Sequence, residues 1–528
     1  MRLLKFLTLI IFSTQFIMSA QEVVAYWGAS PYGYYVKNIE AAGSAKKITV
    51  LNYAFAVPGP DSAGNIVATF RNPYPVYVQP YTADMSIDGT ADDSAQQLRG
   101  QFNQLKKLKA MNPNLKILLS IGGWGGCTYF SDAALTEKSR ETFVDDCINK
   151  FILGNLPVID SAGGMGAAAG IFDGFDIDWE FPVSGGPEGM HYNPEDKENY
   201  TKLIKQFRKK LDAIRPGLLL TAAVPADKPN INNFDIAGVQ NYLNWFNLMT
   251  YDFHGIWDSV TGHHTNLLSS PNDTAESGGK LSFDKSVKYF LDTLRVKNYK
   301  IVPGTAFYGK AWGNVNSTNE GLYQVGKDSG RVLKPGMGNY SSIPRMLSDG
   351  FNYYWDTLAM APFLYNKGEK IFFTFDDAKS ISLKRHYVDA YKLRGIMCWE
   401  ISGDDSLGTL INTMYTGRMP EAEAGKIQLG KSTPIISITY PRNKKKVAAG
   451  TNLIINTYGE DKNNQIIKVE FYGDGLSLGY CTKAPFDWAW FNMPVGEHTL
   501  KAIATDSYGN KGVSQTVKFV AVKSDIEN

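Results

Sequence analysis

Three carboxylates at alternate positions are the residues of this 528-residue chain whose types and spacing most clearly suggest chemistry. In DGFDIDWEFP (173–182), Asp176, Asp178 and Glu180 would share one face of a β-strand, because successive side chains of a strand point to opposite faces. Burial and mutual repulsion raise the pKa values of clustered carboxyls, which favours acid–base catalysis. An exposed polar strand face is the alternative, but the neighbouring apolar runs favour a central strand.

The order of the three carboxylates along the strand suggests separate roles. Glu180 comes last, at the C-terminal end, which makes it the natural proton donor. Asp178 lies beside Asp176, and we predict that these two share a proton and titrate as a pair.

Eight short apolar runs could position these groups, and amphipathic segments such as 97–111, 138–152, 198–214 and 283–297 separate several of them. The runs are 22–28, 47–56, 115–124, 174–181, 218–226, 245–253, 299–309 and 394–403. Repeated strand–helix alternation of this kind predicts the α/β class and a (β/α)₈ barrel, whose strand ends meet at one mouth. An open doubly wound sheet fits less well, because no Gly-rich phosphate loop follows the first run.

The rest of the chain divides by composition. About 85 residues separate the last two runs, and we interpret 313–392 as an α+β insertion in a catalytic barrel of residues 21–418. Residues 419–433 are polar, with Gly and Pro, and suit a linker. Short strands without helical period fill 434–528, which predicts an immunoglobulin-like β-sandwich similar to modules of secreted bacterial hydrolases.

The N-terminus and the charge balance indicate a secreted protein. Residues 1–20 begin with the basic Arg2 and Lys5, continue in an apolar run and end in the small residues Ser19 and Ala20, a pattern typical of a signal peptide. A membrane anchor is the alternative, but the run is shorter than the roughly 20 residues that span a bilayer. Without this segment 52 Lys+Arg face 52 Asp+Glu, a neutral balance that argues against nucleic-acid or membrane partners.

Cysteine and histidine give weaker signals. Four cysteines cannot form a disulfide framework; Cys127 and Cys147 are close enough in sequence to pair, whereas Cys398 lies in an apolar run and is expected to be a buried thiol. His263 and His264 are adjacent but lack further ligands at suitable spacing, so no metal site is predicted.

Aromatic side chains recur where the predicted strands end. Tyr26, Phe55, Trp124 and Trp399 end four runs, and Trp257 follows a fifth. Core packing explains any single ring, but several at one barrel mouth suggest a groove in which sugar rings stack. In the sandwich, the alternating Phe486, Trp488 and Trp490 share a face that we expect to be core rather than a binding platform.

The carboxylate segment also resembles the DxxDxDxE signature of the family 18 glycoside hydrolases, chitinases in particular. Further matches are the SxGG motif of the third run and the MxYD motif of the sixth. The matching residues are Asp173, Asp176, Asp178 and Glu180, then Ser120, Gly122 and Gly123, then Met249, Tyr251 and Asp252, and finally Trp399. One departure is Lys310 in YGKAW, where the family more often has arginine.

The resemblance implies a substrate-assisted retaining mechanism that needs no cofactor or metal. Glu180 would protonate the glycosidic oxygen, and Asp178 would hold the acetamido N–H while the acetamido oxygen attacks the anomeric carbon. Tyr251 would donate to that oxygen, Asp176 would hold the proton that lets Asp178 turn, and Asp252 would line the pocket. Sugar contacts are expected from Tyr26, Phe55, Trp124, Met249, Trp257 and Trp399.

The sequence thus favours a secreted chitinase acting on chitin or chitooligosaccharides. An endo-β-N-acetylglucosaminidase acting on N-glycans is one alternative, against which stand the WEFP continuation and the insertion. A non-catalytic chitin-binding lectin is another, but such proteins usually lack the glutamate that is present here as Glu180.

Overall fold

The barrel is the main feature of the computed structural model, which describes residues 21–29, 33–275, 281–327, 333–418, 433–450, 452–461, 465–491, 493–506 and 509–523. Within these ranges its eight parallel strands are β1 (Glu22–Trp27), β2 (Val50–Pro60), β3 (Lys116–Gly122), β4 (Gly174–Asp178), β5 (Leu219–Pro225), β6 (Trp245–Met249), β7 (Ile301–Ala306) and β8 (Gly395–Trp399). Consecutive strands pair, and β1 pairs with both β2 and β8, which closes the sheet. The predicted (β/α)₈ barrel is confirmed.

Helices accompany the strands along the chain and cover much of the outside of the sheet. They are α1 (Val36–Ala41), α2 (Gly100–Met111), α3 (Phe130–Leu135), α4 (Glu137–Cys147), α5 (Asp196–Ile214), α6 (Lys228–Ile231), α7 (Ile236–Val239), α8 (Phe283–Lys288), α9 (Ile343–Ser348), α10 (Ala378–Ala390) and α11 (Thr409–Thr416). The longest, α5, buries Leu203, Phe207 and Leu211, which are four residues apart. This spacing gives the apolar stripe of a helix that packs on a core.

The alternation in β4 sorts its side chains as the sequence predicts. Phe175, Ile177 and Trp179 join the core between sheet and helices, where Trp179 stacks on Phe130 at 5.2 Å. Asp176 and Asp178 belong to the opposite face, which turns toward the inside of the barrel. Two carboxyl groups are thereby buried with the strand.

The chain forms an antiparallel four-stranded sheet between β7 and β8. Its strands are Lys310–Trp312, Asn352–Asp356, Ala361–Asn366 and Ile371–Thr374. Helix α10 follows this sheet and contacts α11 and β8 of the barrel. The sheet lies mostly within the segment that we interpret as an insertion, and the boundaries 313–392 stay a prediction.

A fully buried ion pair joins α10 to the barrel. Nζ of Lys384 lies 2.8 and 2.6 Å from the two carboxyl oxygens of Asp376, and it also contacts Thr265 Oγ1 at 2.6 Å. Oδ2 of Asp376 accepts the backbone N–H of Ala306, at the end of β7. The pair therefore connects α10, β7 and the segment after β6.

We expect Lys384→Met to lower the free energy of unfolding by about 3–5 kcal/mol, because the substitution leaves the Asp376 charge buried without its counter-ion. Chemical denaturation followed by circular dichroism measures the change. Lys334→Met is the control: its partner Asp349 is partly exposed, so the loss should be at most about 1 kcal/mol. Equal losses for both variants would contradict the expectation.

The C-terminal residues form the predicted β-sandwich. One sheet contains Ile435–Tyr440, Leu453–Glu460 and Trp488–Trp490; the other contains Lys446–Ala448, Ile466–Gly473, Leu476–Cys481, Gly496–Asp506, Lys511–Val513 and Val517–Val522. Phe486, Trp488 and Trp490 pack against the core between the sheets, and Trp488 stacks on Phe471 at 6.0 Å. The expectation of core packing for these rings is confirmed.

Candidate active site

Asp176 lies at the centre of the barrel, where four side chains donate hydrogen bonds to its carboxylate. Oδ2 accepts from Tyr26 Oη and Ser120 Oγ, both at 2.8 Å. Oδ1 accepts from Thr221 Oγ1 at 2.6 Å and from Asn247 Nδ2 at 3.0 Å. Burial raises the pKa of Asp176, and the four hydrogen bonds oppose that shift. The carboxylate is thus held rigidly by β1, β3, β5 and β6.

Asp178 is buried as well, but its side chain is far less constrained. Its Oδ1 has no hydrogen-bond partner. Burial, followed by the negative neighbours Glu180 and Asp176, raises the pKa of Asp178 well above its usual value. No hydrogen bond joins Asp178 to Asp176 in the described structure, so the shared proton stays a prediction.

Glu180 follows β4 by two residues and lies at the barrel mouth. Burial and the charge of Asp252 raise the pKa of Glu180 to about 8, although the N–H of Trp124 acts against the shift. A carboxyl with this pKa is mostly protonated at neutral pH and can donate a proton. The geometry therefore provides an acid next to a buried carboxyl that has a free oxygen.

Asp252, after β6, adopts the left-handed conformation at φ 58° and carries the opposite pKa shift. Its Oδ1 accepts from Tyr308 Oη at 2.5 Å and lies 3.0 Å from Lys310 Nζ and 3.6 Å from His264 Nδ1. Burial alone would raise the pKa of Asp252, but His264, Lys310 and Tyr308 lower it to about 2. Asp252 is therefore ionised at neutral pH and acts on Glu180 as a fixed negative charge.

Tyr251 lies close to the carboxyl groups of Asp178, Asp252 and Glu180. Burial, followed by Asp178 and Asp252, raises the pKa of its phenol well above the usual value, so the hydroxyl stays protonated and can donate. Its ring occupies the space beside Gly304 of β7, where the Cβ of any larger residue would come within 2.7 Å of Tyr251 Cε1. Met249 precedes it on β6 and packs on the same cluster inside the barrel.

Aromatic rings form the floor and the rim of the mouth. Trp399, at the end of β8, is half-buried and stacks on Phe55 with ring centroids 5.5 Å apart. Trp124 and Trp257 expose 64% and 59% of their surface, which is unusual for such large apolar side chains. A cavity of about 340 Å³ opens beside Phe55 and Trp124. Lys310 Nζ lies 5.2 Å from the Trp257 ring centroid, a cation–π distance.

Most of the residues singled out in the sequence therefore meet at this mouth. Tyr26 is the exception to the expected sugar groove: it is buried beneath Trp399, at 5.7 Å between ring centroids, and its hydroxyl points to Asp176. Its position suits holding Asp176 rather than contacting a sugar. Trp124, Trp257, Trp399 and Phe55 keep exposed surface at the mouth.

Sequence reasoning missed Thr221, Asn247 and Tyr308 as neighbours of the carboxylates. Thr221 and Asn247 are single polar residues inside the apolar runs of β5 and β6. Such a residue must find a hydrogen-bond partner once it is buried, and this was the available signal. Tyr308 lies two positions before Lys310, the residue that departs from the family pattern.

All four cysteines are free thiols, so the pairing of Cys127 with Cys147, which the sequence left open, is absent from the structure. Cys398 is buried, as predicted. Among the described residues no group of three or more His, Cys, Asp or Glu side chains could hold a metal ion. His263 instead contacts Asp356 at 3.2 Å.

Several known proteins with similar sequences are chitinases. Chitinase A1 of Niallia circulans is 32% identical over 407 residues, which cover 72% of this chain and 55% of that protein. Chitinase C of Streptomyces lividans is 32% identical over 391 residues, covering 72% and 56%. The chain thus spans little more than half the length of these curated relatives.

Solved structures and family models agree with these sequence matches. The catalytic domain of the psychrophilic chitinase B from Arthrobacter TAD20 superposes with a TM-score of 0.69 at 32% identity, covering 76% of this chain and 95% of that one. The model of the bacterial Ig domain matches residues 434–502. The model of glycosyl hydrolases family 18 matches residues 22–404, which carry the carboxylates described above. The chain belongs to glycosyl hydrolase family 18.

Proposed function

We propose that the protein is a chitinase that hydrolyses β-1,4 linkages between N-acetylglucosamine units. The observation that carries the proposal is the position of Glu180 at the mouth, where its pKa is raised to about 8, beside the buried and partly unpartnered Asp178. Family membership and the chitinase names of the relatives support the same substrate class. Activity and substrate are proposals for this chain, which is shorter than those relatives.

The proposed reaction uses the acetamido group of the substrate as nucleophile. Glu180 gives its proton to the glycosidic oxygen, which leaves with the electron pair of its bond to the anomeric carbon. The acetamido oxygen forms the new bond at that carbon. Asp178, once its shared proton has passed to Asp176, accepts the acetamido N–H and balances the positive oxazolinium. Water then attacks the anomeric carbon and gives a proton to the Glu180 carboxylate. The bond between that carbon and the acetamido oxygen breaks, and its electron pair returns to the oxygen, which restores the acetamido group and the enzyme.

The other residues would keep these groups in place. Asp176, fixed by its four donors, maintains the electrostatic environment of Asp178. Tyr251 donates to the acetamido oxygen. Trp399 supports the reacting sugar from below, and Trp124 and Trp257 stack on the sugars of the leaving side. This division of the aromatic residues rests on the family resemblance and on their exposure.

The proposal is tested by incubating the protein separately with soluble chitin oligomers and with an N-glycosylated protein, and reading the products by mass spectrometry. We expect cleavage of the oligomers alone. Cleavage of the glycoprotein alone would favour an endo-β-N-acetylglucosaminidase, and binding of oligomers without cleavage would favour a lectin.

The pH dependence should report the interaction of Glu180 with Asp252. Because the Asp252 charge helps to raise the pKa of Glu180 to about 8, Asp252→Asn should lower that pKa. Glu180 must be protonated to act, so the alkaline limb of the kcat/KM profile should move to lower pH. Asp349→Asn, whose side chain pairs with the exposed Lys334, is the control. A limb that stays in place or moves to higher pH would contradict the assignment.

We further propose that the protein is secreted and that its domains are those predicted from sequence. The predicted signal peptide, residues 1–20, and nearly all of the predicted linker, 419–433, lie outside the described residues. No helix in the part of the chain that the structure describes combines the length and apolarity required to cross a bilayer. Chitin is the proposed partner, with no nucleic acid, no cofactor and no metal.

A further inference from the structure

A buried cysteine contacts the backbone of both proposed catalytic carboxylates. Cys127 has no exposed surface, and its Sγ lies 3.1 Å from the carbonyl oxygen of Asp178 and 3.3 Å from that of Gly123. The backbone N–H of Glu180 donates to the same sulfur at 3.2 Å. One thiol thus bridges the residues on either side of Trp179.

The thiol contacts lie just beyond the point where the pairing of β3 with β4 ends. The last paired residue of β4 is Asp178, opposite Gly122 of β3, and the strand ladder ends there. Beyond this point the turn after β3 provides the hydrogen bonds to the backbone of Asp178 and Glu180. The N–H of Gly123 donates to the Asp178 carbonyl at 2.9 Å, and the Cys127 thiol adds its contacts. Without the sulfur, the N–H of Glu180 would lose the partner that the structure gives it.

The thiol has the protonation state that this double contact requires. Burial and the charge of Asp178 raise the pKa of Cys127 well above its usual value, so the sulfur keeps its proton at neutral pH. A protonated thiol donates one hydrogen bond and accepts others, which allows it to donate to a carbonyl while accepting from the Glu180 N–H.

We propose that Cys127 is a positioning residue for hydrolysis, because its thiol fixes the backbone of Asp178 and Glu180 and so sets where the acid carboxyl lies relative to the glycosidic oxygen. The inference rests on the proposed role of Glu180 as the acid. Displacement of a reacting group by 1 Å can cost about a hundredfold in rate, so a small shift of this backbone matters.

The decisive variant is Cys127→Val, which fills the space but removes both hydrogen bonds. We expect kcat on chitooligosaccharides to fall about tenfold to a hundredfold, with KM little changed, because binding by the aromatic rim is untouched. Cys127→Ser keeps a donor and an acceptor and should recover much of the lost kcat. Cys147→Val is the matched control: this cysteine is equally buried, on α4, and contacts neither carboxylate through its thiol.

A second readout separates positioning from a general loss of stability. Several titratable groups lie near the Glu180 carboxyl. Asp178 lies beside it on the chain, Asp252 and Tyr251 face it from the end of β6, and Tyr308 faces it from beyond β7. A freed Glu180 gains water while these neighbours stay in place, so its pKa should fall in Cys127→Val and move the alkaline limb of the profile to lower pH. Activity is normalised to the folded fraction from circular dichroism.

Three results would overturn the inference: wild-type kcat and pH profile in Cys127→Val, an equal loss in Cys147→Val, or no recovery in Cys127→Ser. A wild-type chain that hydrolyses no oligomer would overturn the proposed function alone. The titration of Glu180, followed by carboxyl ¹³C NMR with Glu180→Gln for assignment, would still show whether Cys127→Val shifts the acid. An unshifted titration would count against the positioning role.

Discussion

Glu180→Gln is expected to lower kcat on chitooligosaccharides by about 10²–10⁴-fold, the usual contribution of a general acid, while oligomer binding stays close to that of the wild type. Glutamine keeps the shape of the side chain but has no proton of suitable pKa to give to the leaving oxygen. Burial already keeps Glu180 largely uncharged, so the neutral amide changes the electrostatics of the free site little. Single-turnover kinetics and calorimetric titration with a non-cleaved oligomer measure the two quantities.

The matched control for this variant is Glu188→Gln, an exposed glutamate in the segment that follows β4. It should leave both kcat and binding unchanged. Full turnover by Glu180→Gln would show that another group supplies the proton. Loss of binding together with turnover would show that Glu180 contributes to the ground state and not mainly to the transition state.

Asp178→Asn is the second large effect that we expect, with kcat about 10²–10³-fold lower, as when one preorganised electrostatic group is removed from an active site. The buried Asp178 has a free Oδ1 that can accept the acetamido N–H. Once the proton that it is predicted to share has passed to Asp176, Asp178 also offers a negative charge to the oxazolinium. An amide lacks the charge, and its NH₂ group cannot accept the N–H. The variant should fold normally, because Oδ1 makes no hydrogen bond that the substitution would remove.

Initial rates on a chitin oligomer, with the thermal midpoint as a check on folding, measure the effect of Asp178→Asn. Asp212→Asn on α5, whose side chain is 60% exposed, serves as the surface control. A variant of Asp178 with nearly wild-type turnover would mean that the oxazolinium is stabilised elsewhere. A large fall in the thermal midpoint would instead assign Asp178 a structural role.

The sequence predicts the barrel and its carboxylates well because both depend on local periodicity. The twofold alternation around Asp176, Asp178 and Glu180 is visible in ten residues, and so is the change from barrel runs to short sandwich strands. Motif spacing also identifies Tyr251, Asp252 and Trp399 before any contact is known. The structure brings all six into one mouth or the barrel interior directly below it.

The environment of those groups could not be predicted in the same way, because it depends on the register between strands. Asp176 lies beside Ser120 on β3 and Thr221 on β5 only because the three strands pair at those positions. The position of Tyr26 could not be predicted without that register. Its place near a strand end suggests the sugar groove, whereas closure of the barrel buries it with its hydroxyl on Asp176. The thiol contact of Cys127 likewise depends on how the turn after β3 folds back.

Because β1 pairs with β8, the mouth of the barrel can fold only late in the synthesis of the chain. Trp399 packs on Tyr26 and Phe55, and the Gly28 N–H donates to Glu400, 372 residues further along the chain. A ribosome therefore has to release nearly the whole barrel before the floor of the mouth can form, although the carboxylates of β4 have emerged much earlier. Nascent and truncated chains that end before β8 would carry the acid but not the surface on which a sugar rests.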